Sequence, residues 1–461
     1  MDEGVTKADV NSTEPDRSPA SSAVLHRSLH KDYPVAVRGR GVYLWSDDGR
    51  RYLDFAGSAT ACFIGHGNEY VARAISEQAR SLEFAHTSQF TTPIAELFAQ
   101  ELLEFAGESF RGGAVFFTSG GSESTETALK LARQYQVEIG KTQRYQIISR
   151  RQSYHGATLG ALAVSGNLKR RQMYLPMVHE FVHVGMPYCY RCDYGCDDCG
   201  RKYAEELERA IEITNDEAAA FIFEPVSGAT LGAVVPPAGY LSRVAEICER
   251  HDVLLVADEV MTGFGRTGRN FAIEHWNIAP DLLVLAKGIS SGYAPLGAVI
   301  ANRKVVDAIA KGSGSLVHGF TYNAHPISAA AGREVLRQVI GKRLVIEAAA
   351  KAEPLGDGLR SLLQCSSVGD LRGIGLLWGI EFVANKETKK PFPVNAQVAA
   401  KVGAACMRRG VCVYPMQGCV DGYRGDHLLI APPAIITDEQ IKWAVERVRQ
   451  AVEEVERTVV P

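Results

Sequence analysis

The chain of 461 residues carries 50 Lys and Arg against 53 Asp and Glu, a net charge of −3, with 46% hydrophobic and 22% charged residues. At roughly 150 residues per domain this length predicts two or three domains with substantial cores, and the composition is that of a soluble globular protein. No basic excess is present to drive nucleic-acid binding, apolar runs such as residues 253–257 are far too short to span a bilayer, and 10 Cys in so long a chain is not disulfide-scaffold density, so a reducing cytoplasm is the expected setting.

Residues 1–22 mix Asp, Glu, Ser, Pro and Thr with few apolar side chains. They bury too little to offset their ordering entropy, and a mobile leader is expected there. It has neither the apolar core of a signal peptide nor the Arg-rich pattern of a transit peptide. Strand-like runs at 42–45 and 51–55 flank Asp47-Asp48-Gly49-Arg50, which predicts a β-hairpin about an Asp-Gly turn. Residues 71–81 and 93–106 read as helices, and 114–117 as a short strand that ends in a Ser-Gly-Gly turn before a helix over 123–137. Further apolar runs at 145–148, 218–223, 253–257 and 281–286 are nearly continuous rather than alternating, the pattern of strands buried on both faces. Helical segments between them predict a mostly parallel sheet wrapped by helices. Beyond residue 335, helical stretches alternate with strand candidates such as 376–382. Thr437-Asp438-Glu439-Gln440 forms a capping box before a last helix with Ile441, Val445, Val448, Val452 and Val455 on one face. The predicted class is α/β, with a large domain over 70–334 and a smaller α+β domain built from 23–69 and 335–461.

Three strand ends carry candidate chemistry. The run 253–257 delivers Asp258, and 281–286 delivers Lys287; in an open parallel sheet both would emerge at the carboxyl edge, where ligands bind. Taken singly, such an Asp caps a helix and such a Lys is a solvated surface residue. The third element is Thr118-Ser119-Gly120-Gly121-Ser122-Glu123, a strand end, a small-residue turn and a helix start, which presents backbone N–H groups and a positive dipole end to a phosphate. A phosphate cradle, a carboxylate and a lysine are together the parts that bind pyridoxal phosphate.

With these residues in place, the chain resembles the class III, fold-type I aminotransferases that use pyridoxal phosphate. The resemblance runs from Asp54-Phe55 to the final helix. It rests on Thr118–Glu123 with Glu126, Tyr154-His155-Gly156, Phe223-Glu224-Pro225, Asp258-Glu259-Val260 continuing into Gly263-Phe264-Gly265-Arg266-Thr267-Gly268, Ala286-Lys287-Gly288 and His318-Gly319-Phe320-Thr321-Tyr322. It implies that Lys287 is the Schiff-base lysine and proton carrier, and that Asp258 pairs with the pyridine nitrogen. Tyr154 and Val260 would pack the two ring faces, Gly121 and Ser122 would hold the phosphate, and Glu224 would position neighbours. Thr321 would reach the phosphate of a neighbouring subunit, which implies a homodimer with shared active sites. His155 and His318 are motif residues by position, not metal ligands.

The implied activity is transfer of an amino group from an ω-amino acid or primary amine to a keto acid such as pyruvate, with ping-pong kinetics. An aminomutase or decarboxylating transaminase is the alternative on the same fold. Arg424 resembles a mobile carboxylate-binding arginine of the family, and a surface-loop arginine is the other reading. Arg266 is a weaker rival whose context looks structural. Where many relatives place a bulky aromatic, this chain has Gly57-Ser58-Ala59-Thr60-Ala61. Finally, Cys189, Cys192, Cys196 and Cys199 pack four thiols into eleven positions. Structural zinc, disulfides and plain thiols all stay open, since paired Cys-x-x-Cys zinc motifs are usually farther apart. A non-catalytic metal-binding protein built on that cluster is the alternative of another class.

Overall fold

The computed structural model describes residues 22–195 and 197–459; the expected leader lies, Ser22 excepted, outside them. Seven strands among the described residues form the central sheet. Their spatial order is Ala114–Thr118, Gly297–Ala301, Leu282–Leu285, Leu254–Asp258, Ala218–Phe223, Gln146–Arg150 and Val182–Val184. Gly297–Ala301 pairs antiparallel with both of its neighbours, and the other pairings are parallel. The continuous apolar runs become central strands because alternate side chains enter different cores. Phe221, Phe223, Leu255, Ala257, Leu283 and Leu285 face one cluster, while Ala220, Ile222, Leu254, Val256, Leu282 and Val284 face the other. Burial on both faces removes any polar alternation.

The hairpin pairs Tyr43–Ser46 with Arg51–Asp54, and a further strand, Ala36–Arg40, lies outside it. Val411–Cys412, far along the chain, pairs in parallel with Leu53 and Asp54. A third, antiparallel sheet joins Val368–Ile374, Leu377–Phe382, Asp426–Ile430 and Tyr414–Gln417. The last helix, Asp438–Val459, starts on its capping box: Gln440 N–H donates to Thr437 Oγ1 at 3.3 Å and Thr437 N–H to Gln440 Oε1 at 2.9 Å. Its valine face is buried. No helix among the described residues is long and apolar enough to cross a membrane.

One ion pair closes the chain after the hairpin. His66 Nε2 lies 2.9 Å from Asp54 Oδ2, whose carboxylate also accepts Ser58 N–H at 2.9 Å and Ser58 Oγ at 2.8 Å. Burial alone would lower the His66 pKa, but the bonds to Asp54 and Cys62 outweigh it and hold the imidazole at about 10 instead of 6.5. A group raised in this way contributes stability that is complete below its unfolded pKa and is lost as pH rises through the folded one. The unfolding midpoint of the wild type should therefore exceed that of His66→Asn most below pH 6.5, and the gap should close as pH approaches 10. Denaturant titrations of both proteins across that range check this; a gap that widens with pH would contradict the charged-pair reading.

Candidate active site

Adjacent parallel strands bring the reactive groups together. Asp258 is the last residue of its strand and pairs in register with Val284 of the next, so Lys287, three residues on, leaves the same edge. Lys287 opens a short 3-10 turn, Lys287–Ile289, with φ of 49°. Non-glycine residues rarely adopt that left-handed conformation, and it is retained where surrounding structure enforces it. The two side chains line one cavity of about 180 Å³ together with Gly121, Ser122, Tyr154, Glu224 and Val260. Seven of the eight residues expected around the cofactor thus share one space. Thr321 does not line it and is exposed.

The phosphate cradle is built by the helix Gly121–Glu138. Gly120 at its N-cap provides no side-chain cap, which leaves the first-turn N–H groups available at the positive end of an eighteen-residue helix. Ser122 Oγ accepts the Ala157 N–H at 2.9 Å and pins the turn after Tyr154 against the helix start. Gly156 is required in that turn: its φ is +144°, and a Cβ there would meet Ser122 Oγ and Ala161 Cβ at 2.8 Å. Gly121 faces Val260, whose Cγ1 would stand 3.3 Å from an added Cβ.

Asp258 is anchored from two sides. His155 Nδ1 lies 2.7 Å from Oδ2, and the Val260 N–H donates to Oδ1 at 3.0 Å. His155 is buried, and its Nε2 has no hydrogen-bond partner. Its position beside Asp258 is a role the sequence reading missed; only the Tyr154-His155-Gly156 motif pointed near it. Glu224 accepts the Gly228 N–H at 2.9 Å and the Tyr154 N–H at 3.4 Å, so it orders the loop that carries Tyr154. Burial, then the Asp258 charge, push the Glu224 carboxyl upward against the pull of His155 and Arg150. Lys287 moves the other way: burial lowers it to about 8 from 10.5, assisted by Arg170 and Arg266 and opposed by Asp258 and Glu224.

The two arginines weighed from the sequence differ in setting. Arg424 Nε donates to Asp421 Oδ2 at 2.6 Å, and its side chain is 59% exposed. Arg266 is buried and bonds carbonyls of Pro432 at 2.5 Å, Cys62 at 3.3 Å and Thr60 at 3.4 Å, a structural cation. A third, unremarked in the sequence, packs on a residue of the cavity wall: the half-buried Arg170 guanidinium lies 4.1 Å from the Tyr154 ring centroid. No carboxylate lies within ion-pair distance of it among the described residues. Cys189, Cys192 and Cys199 do not line the cavity, and Cys196 lies outside the described residues. His318 Nε2 bonds Thr127 Oγ1 at 2.9 Å.

The cavity fits pyridoxal phosphate. An anion-binding helix start, a carboxylate and a lysine lowered to about 8 stand on the walls of one space, the partners a phosphate, a pyridine nitrogen and an aldehyde require. In cofactor-free protein, reductive methylation of the Lys287 peptide should titrate with a midpoint near 8, read by mass spectrometry. Asp258→Asn should move that midpoint lower, because a negative neighbour that favours the ammonium is gone. A wild-type midpoint near 10.5 would show a solvated lysine instead.

Residues 26–452 match the family described as Aminotransferase class-III. An uncharacterised aminotransferase of Bacillus subtilis, YodT, is 40% identical over 446 residues, spanning 95% of this chain and 99% of that protein. A putrescine–pyruvate aminotransferase of Pseudomonas aeruginosa is 33% identical across 91% of this chain and 90% of its own length. Among solved structures, the omega transaminase of Pseudomonas jessenii in complex with PMP superposes with a TM-score of 0.90 at 29% identity, covering 97% of this chain and 99% of that one.

Proposed function

The chain belongs to the class III aminotransferases, enzymes dependent on pyridoxal phosphate, and on that premise we propose that it moves an amino group from an ω-amino acid or primary amine to a small keto acid such as pyruvate. The observation that carries this reading is the convergence of Lys287, Asp258 and the Gly121–Ser122 helix start on one cavity. Bound there, pyridoxal phosphate supplies an electron sink for the pair left when the donor carbon loses its proton.

The side chains divide the remaining work. The N–H groups of Gly121 and Ser122 bind the phosphate. Asp258, oriented by His155 and Val260 N–H, holds a proton on the ring nitrogen. Tyr154 and Val260 confine the ring, and Glu224 keeps the Tyr154 loop in place. Lys287 Nζ, lowered to about 8, reaches its neutral amine near physiological pH, so it can take a proton from the donor carbon and return it elsewhere. A second copy would contribute Thr321, whose exposure on its own chain leaves it available to a neighbour's site. Two half-reactions, each using the same lysine, give ping-pong kinetics.

The acceptor carboxylate needs a cation. Arg170 meets that need better than Arg424, because Arg424 is already engaged by Asp421 while Arg170 has no carboxylate within ion-pair distance among the described residues and stands on the Tyr154 ring. The Pseudomonas aeruginosa relative, named a putrescine–pyruvate aminotransferase, supports a keto-acid acceptor of this kind.

The visible absorbance of the cofactor-loaded enzyme tests the reading directly: particular amines should bleach it without acceptor, and pyruvate should restore it. Release of carbon dioxide, or turnover without external acceptor, would favour the decarboxylating or mutase alternative. Lys287→Ala should lower turnover about a thousandfold or more, since the proton carrier is lost. Arg170→Gln should raise the KM for pyruvate about ten- to a hundredfold, the loss of a charged hydrogen bond, and leave that for a donor without a carboxylate unchanged. If Arg424→Gln shows that pattern and Arg170→Gln does not, the carboxylate reader is Arg424.

A further inference from the structure

A second cavity, of about 540 Å³, shares no lining residue with the catalytic one. Its size is that of a small-molecule site. Arg151, Arg171, Arg191, Asp193 and Asp421 supply its charged walls, with His183 among them. Burial sorts these groups. Arg171 is 7% exposed, and Gln152 and Tyr203, also on the walls, are buried. Arg151 and Asp193 are exposed. The cavity therefore has an inner end at Arg171 and an outer end at Arg151 and Asp193.

Some of these charges are already matched. Arg191 Nε donates to Glu381 Oε1 at 2.7 Å, and Asp421 accepts from Arg424 Nε at 2.6 Å. Arg151, Arg171 and Asp193 form no ion pair among the described residues. The unmatched charge of Arg171 is the costly one, because it is buried. Its Nη1 lies 3.3 Å from His183 Nε2, and its Nε is buried with no hydrogen-bond partner. A guanidinium can only donate, so His183 is the acceptor. Burial, then the Arg171 charge, hold His183 near 4 and keep it neutral at physiological pH. Burial also lowers the Arg171 pKa, opposed at longer range by Glu180.

The Nε–Nη2 edge of Arg171 is thus left open, and elsewhere in this chain that edge takes a carboxylate. Arg333 grips Glu101 Oε1 with Nε at 3.0 Å and Nη2 at 2.7 Å, and Arg449 holds Glu446 with Nε at 2.9 Å and Nη2 at 2.6 Å. Such two-point pairs are strong and favour planar anions. Toward the outer end the unmatched anion is Asp193, and Met186 and Val420 add apolar wall. We propose that this cavity is a second binding site, for a small amino acid, whose carboxylate pairs with Arg171 at the inner end and whose ammonium faces Asp193 at the outer end. The ligand class follows from the walls of this cavity and not from the reaction, so the site and the transaminase reading stand or fall separately.

The experiment is isothermal titration of the full-length enzyme loaded with PMP, the cofactor form that does not react with amines, at constant ionic strength. The probes are 4-aminobutyrate for an ω-amino acid and L-alanine for an α-amino acid; whichever binds names the source. Arg171→Gln should weaken that binding about ten- to a hundredfold, the loss of a charged hydrogen bond. Arg170→Gln, which alters the neighbouring residue but not this cavity, should leave it in place. Butyrate and butylamine, each carrying one end alone, should bind about tenfold more weakly or less tightly still than 4-aminobutyrate if that is the ligand. Should Arg171→Gln fail to fold, Asp193→Lys decides, since it changes an exposed side chain and should weaken binding about fivefold or more. No saturable binding of either probe, binding that survives Arg171→Gln or Asp193→Lys unweakened, or loss of binding in Arg170→Gln alone would each overturn the proposal.

Discussion

Burying charge is the constraint on which this structure turns. Lys287, Asp258 and Glu224 occupy one cavity at the carboxyl edge of the central sheet, where a lone ion would cost several kcal/mol. The cost is met by mutual placement. Asp258 takes a ring nitrogen of His155 and a backbone N–H. Glu224 takes two backbone N–H groups and is pushed toward its neutral form. Lys287 is pulled down to about 8 and is kept from falling further by those two carboxylates. A lysine held at about 8 can change protonation state near neutral pH, which is what proton transfer there requires.

The same constraint organises the seams around the site. Arg266 forms no ion pair with a carboxylate among the described residues; three main-chain carbonyls from residues 60, 62 and 432 solvate it. It thereby fixes the segment after the hairpin against the chain that follows Asp426–Ile430. On the other side, Glu381 is held ionised, because Arg372 at 2.9 Å and Arg191 at 2.6 Å outweigh the upward push of burial. Removing one member of such a buried set leaves an uncompensated ion and costs about 3–5 kcal/mol. The crossover that carries the turn Cys189–Arg191 is therefore tied to the interior through Arg191.

Much of this was legible residue by residue, and what was not has physical causes. The runs at 218–223, 253–257 and 281–286 read as central strands because burial on both faces leaves no polar positions. Gly297–Ala301 went unnoticed because five small apolar residues carry no periodicity to separate a strand from a buried connection. Val182–Val184 is three residues with a histidine in the middle, too short for any pattern. Arg170 sits in Lys169-Arg170-Arg171, which reads as a solvated basic run; only the Asn167-capped turn, whose side chain accepts the Arg170 N–H at 3.2 Å, sets it over Tyr154. Arg424 had the setting of a carboxylate reader, yet an acidic residue three positions earlier engages it locally.

By itself the sequence determined the α/β class, the central strands, the capping box of the last helix and the positions of Asp258, Lys287 and the Gly121 turn. These follow from hydrophobic period and backbone chemistry, which act over a few residues. Tertiary structure alone decided that His155 anchors Asp258 across 103 residues of chain, that Arg170 packs on the Tyr154 ring, and that the Cys189 and Cys199 sulfurs lie 3.8 Å apart. Such convergences depend on strand register and loop path, which arise only when distant segments pack against each other.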